Sequence, residues 1–274
     1  MTRRSLRGSF LHAVVVLGGL ATLAPLFWMA GASFMQTGEA NSYPPRFLPS
    51  EPTFEHYVHL FTRLDLARHF LNSAVVTVSV TVVSILVNAM AGYAFGKLRF
   101  RGRDRLFRVL LAGMMIPAQA GMLPLFLLLK QMGLVNTYLG VMIPSFASIF
   151  GIFLVRQYVL GVPDDLLDAA RIDGAGEVRI FRTIVLPLIL PILVTLGAFT
   201  FISAWNDFMW PLVVLSDGAK YTLPVALASL AGEHVQDTEL MMAGSLLTIL
   251  PVLVVFLLFQ KVYFRGMMAG SIKG

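Results

Sequence analysis

Apolar residues in this chain come in long blocks, not in the short alternating or one-faced patterns of a soluble core. Six blocks, at about 10–34, 70–96, 106–129, 138–159, 184–214 and 240–264, are each long enough to cross bilayer hydrocarbon as a helix. Such a crossing takes roughly 20 residues. The pattern predicts an all-α membrane protein with six transmembrane helices in a single transmembrane domain, 1–274. Proline interrupts the third block at Pro117 and Pro124, and the fifth at Pro187, Pro191 and Pro211. Pro187 and Pro191 fall near the start of the fifth, where lost backbone bonds cost least.

The first block follows "MTRRSLRGS" and contains Ala30-Gly31-Ala32, as a cleavable signal would. A signal's apolar region is about 7–15 residues. This block is longer, so it is expected to stay as an uncleaved anchor. The loop at 35–69 carries "YPPRFLPSEPTFEHYVHLF", proline and aromatics in place of a Gly/Ser linker. It is expected to lie folded against the membrane surface.

Composition agrees: 57% of residues are hydrophobic, 13% are charged, and the mean hydropathy is +0.77. Soluble domains carry about a quarter charged residues. Cysteine is absent, which removes disulfides, thiolate metal sites and cysteine nucleophiles. A net charge of +6 could suggest a nucleic-acid partner, but its distribution reads as topology. With the N-terminus inside, sixteen of the 21 basic residues face the cytoplasm: Arg3, Arg4 and Arg7, six from Lys97 to Arg108, then Arg156, Arg171, Arg179, Arg182, Lys261, Arg265 and Lys273. Arg46, Arg63, Arg68, Lys130 and Lys220 lie outside. The positive-inside rule thus places both termini in the cytoplasm. The bilayer is the partner this charge pattern serves, and no nucleic acid is expected.

The loop at 161–187 is too patterned for a plain connector. Pro163 suits a first helical turn, and Asp164 and Asp165 follow where the helix dipole favours acids. Leu166, Ala169, Ala170 and Asp173 come at helical spacing before a stop at Gly174. A second helical pattern starts near Gly176, with Val178, Phe181 and Ile184 on one side and Glu177, Arg179 and Arg182 on the other. Ala169-Ala170 leaves one face nearly bare, open to close approach by another backbone. Two readings fit: a hairpin lying on lipid, or a docking element for a cytoplasmic partner.

"DAARIDGAGEVRIFRTIVLP" resembles the EAA loop of permease subunits of bacterial ABC importers. Asp168-Ala169-Ala170, Gly174, Ile184 and Leu186-Pro187 stand at that motif's spacing, with Asp168 where the family usually has Glu. "FLNSAVVTV", "AGYAFGKLRFRGR", "MIPAQAGMLPLF", "AWNDFMWPLVVL" and the tail "YFRGMMAGSIKG" are similar to the carbohydrate-uptake branch, most of all its maltose-permease-like subunit. The resemblance implies a type I ABC importer permease in a bacterial inner membrane. Its implied partners are a second homologous permease, two ATPase subunits and an extracytoplasmic sugar-binding protein. It implies that the loop is a coupling helix, with Asp168, Ala169, Ala170, Asp173, Gly174, Phe181, Leu186 and Pro187 forming and angling the ATPase-docking surface.

The chain has no G-x-x-x-x-G-K-[ST] stretch, so ATP and Mg are expected in a partner ATPase, with no cofactor bound here. His12, His56, His59, His69 and His234 form no H-E-x-x-H metal motif. Ser245 and Ser271 lack the second glycine of G-x-S-x-G. No catalytic or metal-binding residue is expected. Asn88, Gln119, Trp205 and Asn206 offer amides and an aromatic face for a sugar path, or equally interhelical bonds and interface anchors. Asp207, in "AWNDF", keeps open an alternative: a self-contained ion-coupled secondary transporter.

Overall fold

A computed structural model of the chain describes residues 3–233 and 237–269. His234 and the end of the tail motif, with Ser271 and Lys273, lie outside the described residues, as do the side chains of Arg3, Arg4, Arg7, Lys261 and Arg265. The described residues are helical with connecting turns. The helices are α1 (Arg3–Ala32), α2 (Glu55–Thr62), α3 (Leu66–Lys97), α4 (Arg103–Gly113), α5 (Ala118–Gln131), α6 (Tyr138–Met142), α7 (Ile149–Val159), α8 (Asp164–Ile172), α9 (Glu177–Ile180), α10 (Leu186–Trp205), α11 (Met209–Val214), α12 (Leu223–Glu233) and α13 (Thr238–Ala269). Five helical stretches are long and apolar enough to cross a membrane: Leu11–Ala32, Leu66–Lys97, Tyr138–Val159, Glu177–Trp205 and Thr238–Gln260. A sixth crossing exists if α4 and α5 count as one broken span.

That third block differs most from the sequence expectation. It is not one helix with proline kinks but two helices bent by 104°. Pro117 sits at the break in an extended conformation, φ −63° and ψ 133°. It has no N–H to give, and it disfavours helix in the residue before it. Pro124, inside α5, causes no break of its own.

The fifth block also differs. It starts earlier, because α9 runs through a π-helical turn, Phe181–Val185, straight into α10. The wide turn lies just ahead of Pro187, whose ring would otherwise press on the carbonyl four residues earlier. The block then stops at Trp205, and α11 is a separate short helix carrying Pro211.

The chain forms two compact units. In the first, Met1–Ala67 with Ala226–Pro251, the proline-rich loop is ordered by its own polar groups. The Glu39 carboxylate accepts from the Ser50 N–H (2.8 Å) and from Arg46 (3.2 Å). The Trp28 indole donates to the Arg46 carbonyl (3.1 Å), and the Phe34 ring meets Phe54 edge-on and Tyr57 at a tilt. Glu239, fully buried at the start of α13, accepts the Ala40 N–H at 2.7 Å.

The second unit, Arg68–Val225 with Val252–Gly274, holds the main packed core. Ala89 and Tyr93 of α3, Val155 and Val159 of α7, Leu167 of α8, Ile180 of α9 and Ile189 and Leu193 of α10 form one buried cluster. Gly92 and Gly96 make the α3–α7 crossing close. A Cβ at Gly92 would stand 2.6 Å from Val155 Cγ1, and one at Gly96 2.8 Å from Val159 Cγ1. Between membrane helices, where lipid is as apolar as leucine, such small residues let backbones approach and gain contact. Leu167, on α8 between two candidate spans, and Ile180, in the first turn of the Glu177–Trp205 stretch, join this core, so the loop at 161–187 is part of the packed structure.

Candidate functional site: the helical loop between α7 and α10

Pro163 stands just outside α8 in an extended conformation, and Asp164 and Asp165 occupy the first turn. The helix ends in a Schellman motif. The Gly174 N–H donates to the Arg171 carbonyl (3.0 Å), and the Ala175 N–H donates to the Ala170 carbonyl (2.9 Å). The motif needs a left-handed residue, and Gly174 supplies it at φ +79°.

Three links hold this hairpin to the spans. Leu167 and Ile180 are fully buried in the core cluster. Burial of a side chain of that size stabilises by about 1.5–3 kcal/mol. Lys97, at the end of α3, donates to the Val162 carbonyl (2.6 Å) and to Asp164 (2.7 Å). Lys97 holds the Asp164 carboxyl below the usual aspartate range, first by its hydrogen bond and then by its charge. The third link is a chain of polar groups. The Tyr93 hydroxyl donates to Glu177 (2.5 Å), Glu177 accepts from Arg171 (2.8 Å), and Arg171 also donates to Asp168 (2.7 Å).

The exposed surface of the hairpin is mostly charged, and two large apolar side chains stand out of it. Ile172 is 87% exposed and Val178 74% exposed, one on each side of the Gly174 turn. Val178, expected on one side with Phe181 and Ile184, parts from them, and only those two pack against the core. Ala169 is exposed, whereas Ala170 packs against this chain's own core, so the pair does not form one bare outer face. Asp173 and Pro187 are exposed. Phe181 lies against Tyr93 with ring centroids 5.3 Å apart, and Leu186 is half-buried. Sequence reading missed Tyr93, Lys97 and Ile172. The first two act across more than sixty residues of chain, and spacing carries no signal of that.

The four polar residues considered for a sugar path are not brought together. Asn88 is fully buried, donating to Ser84 (2.7 Å) and accepting the Ser148 N–H (3.0 Å). It ties α3 to the start of α7. Trp205 is buried among Phe70 and Phe201. Gln119 and Asn206 are exposed, and Asn206 bonds back to the Ile202 carbonyl (2.8 Å). A different concavity, of about 360 Å³ and of mixed polar and apolar lining, includes Ser145, Thr200, Ser203 and Asp207 in its wall. Asp207 accepts the Trp210 N–H (3.3 Å) at the start of α11.

The structure is that of a helical chain with membrane-length apolar spans and an ordered loop packed against them. The chain belongs to the family of binding-protein-dependent transport system inner membrane components, which it matches over residues 88–268. It is 38% identical over 253 residues to the arabinooligosaccharides transport system permease protein AraQ of Halalkalibacterium halodurans, covering 91% of each chain. It is 32% identical to the lactose transport system permease protein LacG of Rhizobium radiobacter, over 99% of this chain and 98% of that one. Its fold superposes with a TM-score of 0.83 on a chain of a bacterial ABC transporter that imports the acidic polysaccharide alginate (26% identity, 95% of this chain and 98% of that one). The chain is therefore an inner-membrane transport component, and the self-contained carrier is set aside.

Proposed function

We propose that this chain is a permease subunit of an ATP-driven sugar importer, and that its 161–187 loop is the element that docks into a cytoplasmic ATPase. The observation that carries this is the pair Ile172 and Val178, apolar and exposed beside the Gly174 turn of a hairpin that is clamped to α3 and α10. Exposed apolar side chains on a rigid projection suit a protein pocket. Their attachment to the spans lets motion of the partner reach the membrane helices. The sugar-permease names of the relatives support the cargo class, and the sequence charge bias supports cytoplasmic termini.

In this reading a second homologous permease completes the pore, and two ATPase subunits bind ATP and Mg. A binding protein delivers sugar from outside. ATP binding closes the ATPase pair, the loop moves with it, and the spans turn from inward-facing to outward-facing. The concavity with Ser145, Thr200 and Ser203 supplies hydroxyls on this chain's share of the path.

The test is co-purification. The tagged full chain is extracted in mild detergent with its native partners, as wild type, Ala169→Trp and Gly174→Pro. Ala169 is preferred to Ala170 because its side chain faces out, so tryptophan there blocks docking without disturbing the core. Wild type should bring down an ATPase with a phosphate-loop motif, and both variants should lose it while staying in the membrane. Undiminished recovery of the ATPase with both variants would overturn the docking role.

A further inference from the structure

The segment from Lys97 to Arg108 holds six basic residues and one acid, Asp104. Charge bias for topology needs only their number. Here they are also arranged around a hollow. Gly102 takes φ +83° and turns the chain sharply between α3 and α4. Residues on both sides of the turn then line one concavity of about 610 Å³, with Arg99, Phe100, Arg103, Asp104, Arg105 and Arg108 in its wall. Arg103 is built in, donating from Nε to Asp104 (3.1 Å) and from Nη1 to the Leu98 carbonyl (3.2 Å). That pairing engages the one carboxylate in the wall. Arg108 donates from Nε to the Asp104 carbonyl (3.3 Å), and Arg99, Arg105 and Arg108 are all exposed.

The surface beside the arginines is apolar. Leu106 is 53% and Val109 70% exposed on α4, on the same turns as Arg105 and Arg108. In a membrane protein such side chains belong in hydrocarbon. The arginines therefore stand where hydrocarbon gives way to headgroups, with acyl chains alongside Leu106 and Val109. A guanidinium binds a phosphate oxyanion through parallel charge-assisted bonds. Basic pockets at the ends of membrane helices are suited to anionic headgroups.

We infer that this concavity binds the phosphate of an anionic phospholipid. The apolar side chains next to the arginines favour lipid over a soluble acidic protein, which would leave Leu106 and Val109 uncovered. The inference rests on the membrane placement of the chain, not on its cargo or on the coupling role of α8.

The test uses the full chain purified in mild detergent with its native partners. It is offered phosphatidylglycerol and phosphatidylcholine of equal chain length, and retained lipid is read by native mass spectrometry. Wild type should prefer phosphatidylglycerol by roughly fivefold for each arginine engaged. The variant Arg99→Gln/Arg105→Gln/Arg108→Gln should lose that preference, and Arg99→Lys/Arg105→Lys/Arg108→Lys should keep most of it, which separates lost charge from lost fold. No preference in wild type, or an undiminished one in the Gln variant, overturns the site. Full displacement of the lipid by millimolar inorganic phosphate would assign it to a free anion instead. Loss of a co-purifying protein with lipid retention unchanged would make the patch a protein interface and overturn the lipid assignment.

Discussion

The Tyr93 hydroxyl meets the Glu177 carboxylate at 2.5 Å, joining the C-terminal part of α3 to the first residue of α9. Glu177 passes the link on to Arg171, and Arg171 to Asp168, so one hydroxyl in a membrane span holds the motif acid of the loop through two charged groups. Asp168 is the position where the family usually has Glu. Its shorter side chain still reaches Arg171, because the two are neighbours on one turn of α8.

Tyr93→Phe removes this hydroxyl and keeps the ring against Phe181. A hydrogen bond to a charged partner contributes about 1.5–3 kcal/mol, which is roughly ten- to a hundredfold in local opening. Backbone amides of α8 and α9 are expected to exchange faster by that factor, with the core of α10 unchanged. Hydrogen-exchange mass spectrometry of peptides covering 164–180 decides it, and identical exchange in the two proteins would remove Tyr93 from the account.

The Lys97–Asp164 contact sets a pH dependence whose sign follows from the lowered Asp164 pKa. A carboxylate held below its unfolded value contributes above the ordinary aspartate range, and the contribution is lost as pH falls through the depressed value. The link from α3 to α8 should thus be intact at neutral pH and weaken only in acid, below about pH 4. The effect is small, because the Asp164 side chain is 75% exposed. Lys97→Met should abolish the acid step. It should also loosen the loop at every pH, by about 1.5–3 kcal/mol, because the Val162 carbonyl loses a charged donor. Opening of the loop, read by exchange at pH 7 and by proteolysis with an acid protease at about pH 2.5, separates the two effects.

Two glycine-to-alanine changes should act in opposite directions. At Gly92 a Cβ would meet Val155 Cγ1 at 2.6 Å and the Arg156 backbone nitrogen at 3.0 Å, so alanine should destabilise by about 1–3 kcal/mol. At Gly121, inside α5, a Cβ meets nothing within 4 Å, and alanine should be neutral or gain up to about 1 kcal/mol. Thermal melts of the purified chain, followed by size exclusion, give the order.

Glu239→Ala leaves the Ala40 N–H without its acceptor, at a cost of about 1–3 kcal/mol. The 35–53 segment should then open more often, and trypsin should cut faster at Arg46. Glu239→Gln keeps an acceptor oxygen and should cut near the wild-type rate. Equal rates in all three proteins would show that Glu239 does not order this loop.

The sequence by itself determined that the chain is helical and membrane-embedded, because apolar run length and charge placement are local properties that the bilayer reads segment by segment. It also determined the ends of α8, since the Pro163, Asp164 and Gly174 signals act within one turn of backbone. Tertiary structure decided the rest. It split the third block at Pro117 by 104°, a geometry that proline permits without setting the angle. It turned Ala170 inward, because α8 packs that side onto the core, and it left Val178 exposed while Phe181 and Ile184 pack, since the π turn at Phe181–Val185 changes the helical phase that spacing assumes. It enclosed Asn88 and Trp205 within this chain, and it gathered Tyr93, Lys97 and Arg171 around the loop. Each of those contacts joins residues far apart in the chain or on different turns, and only packing brings such pairs within a few ångströms.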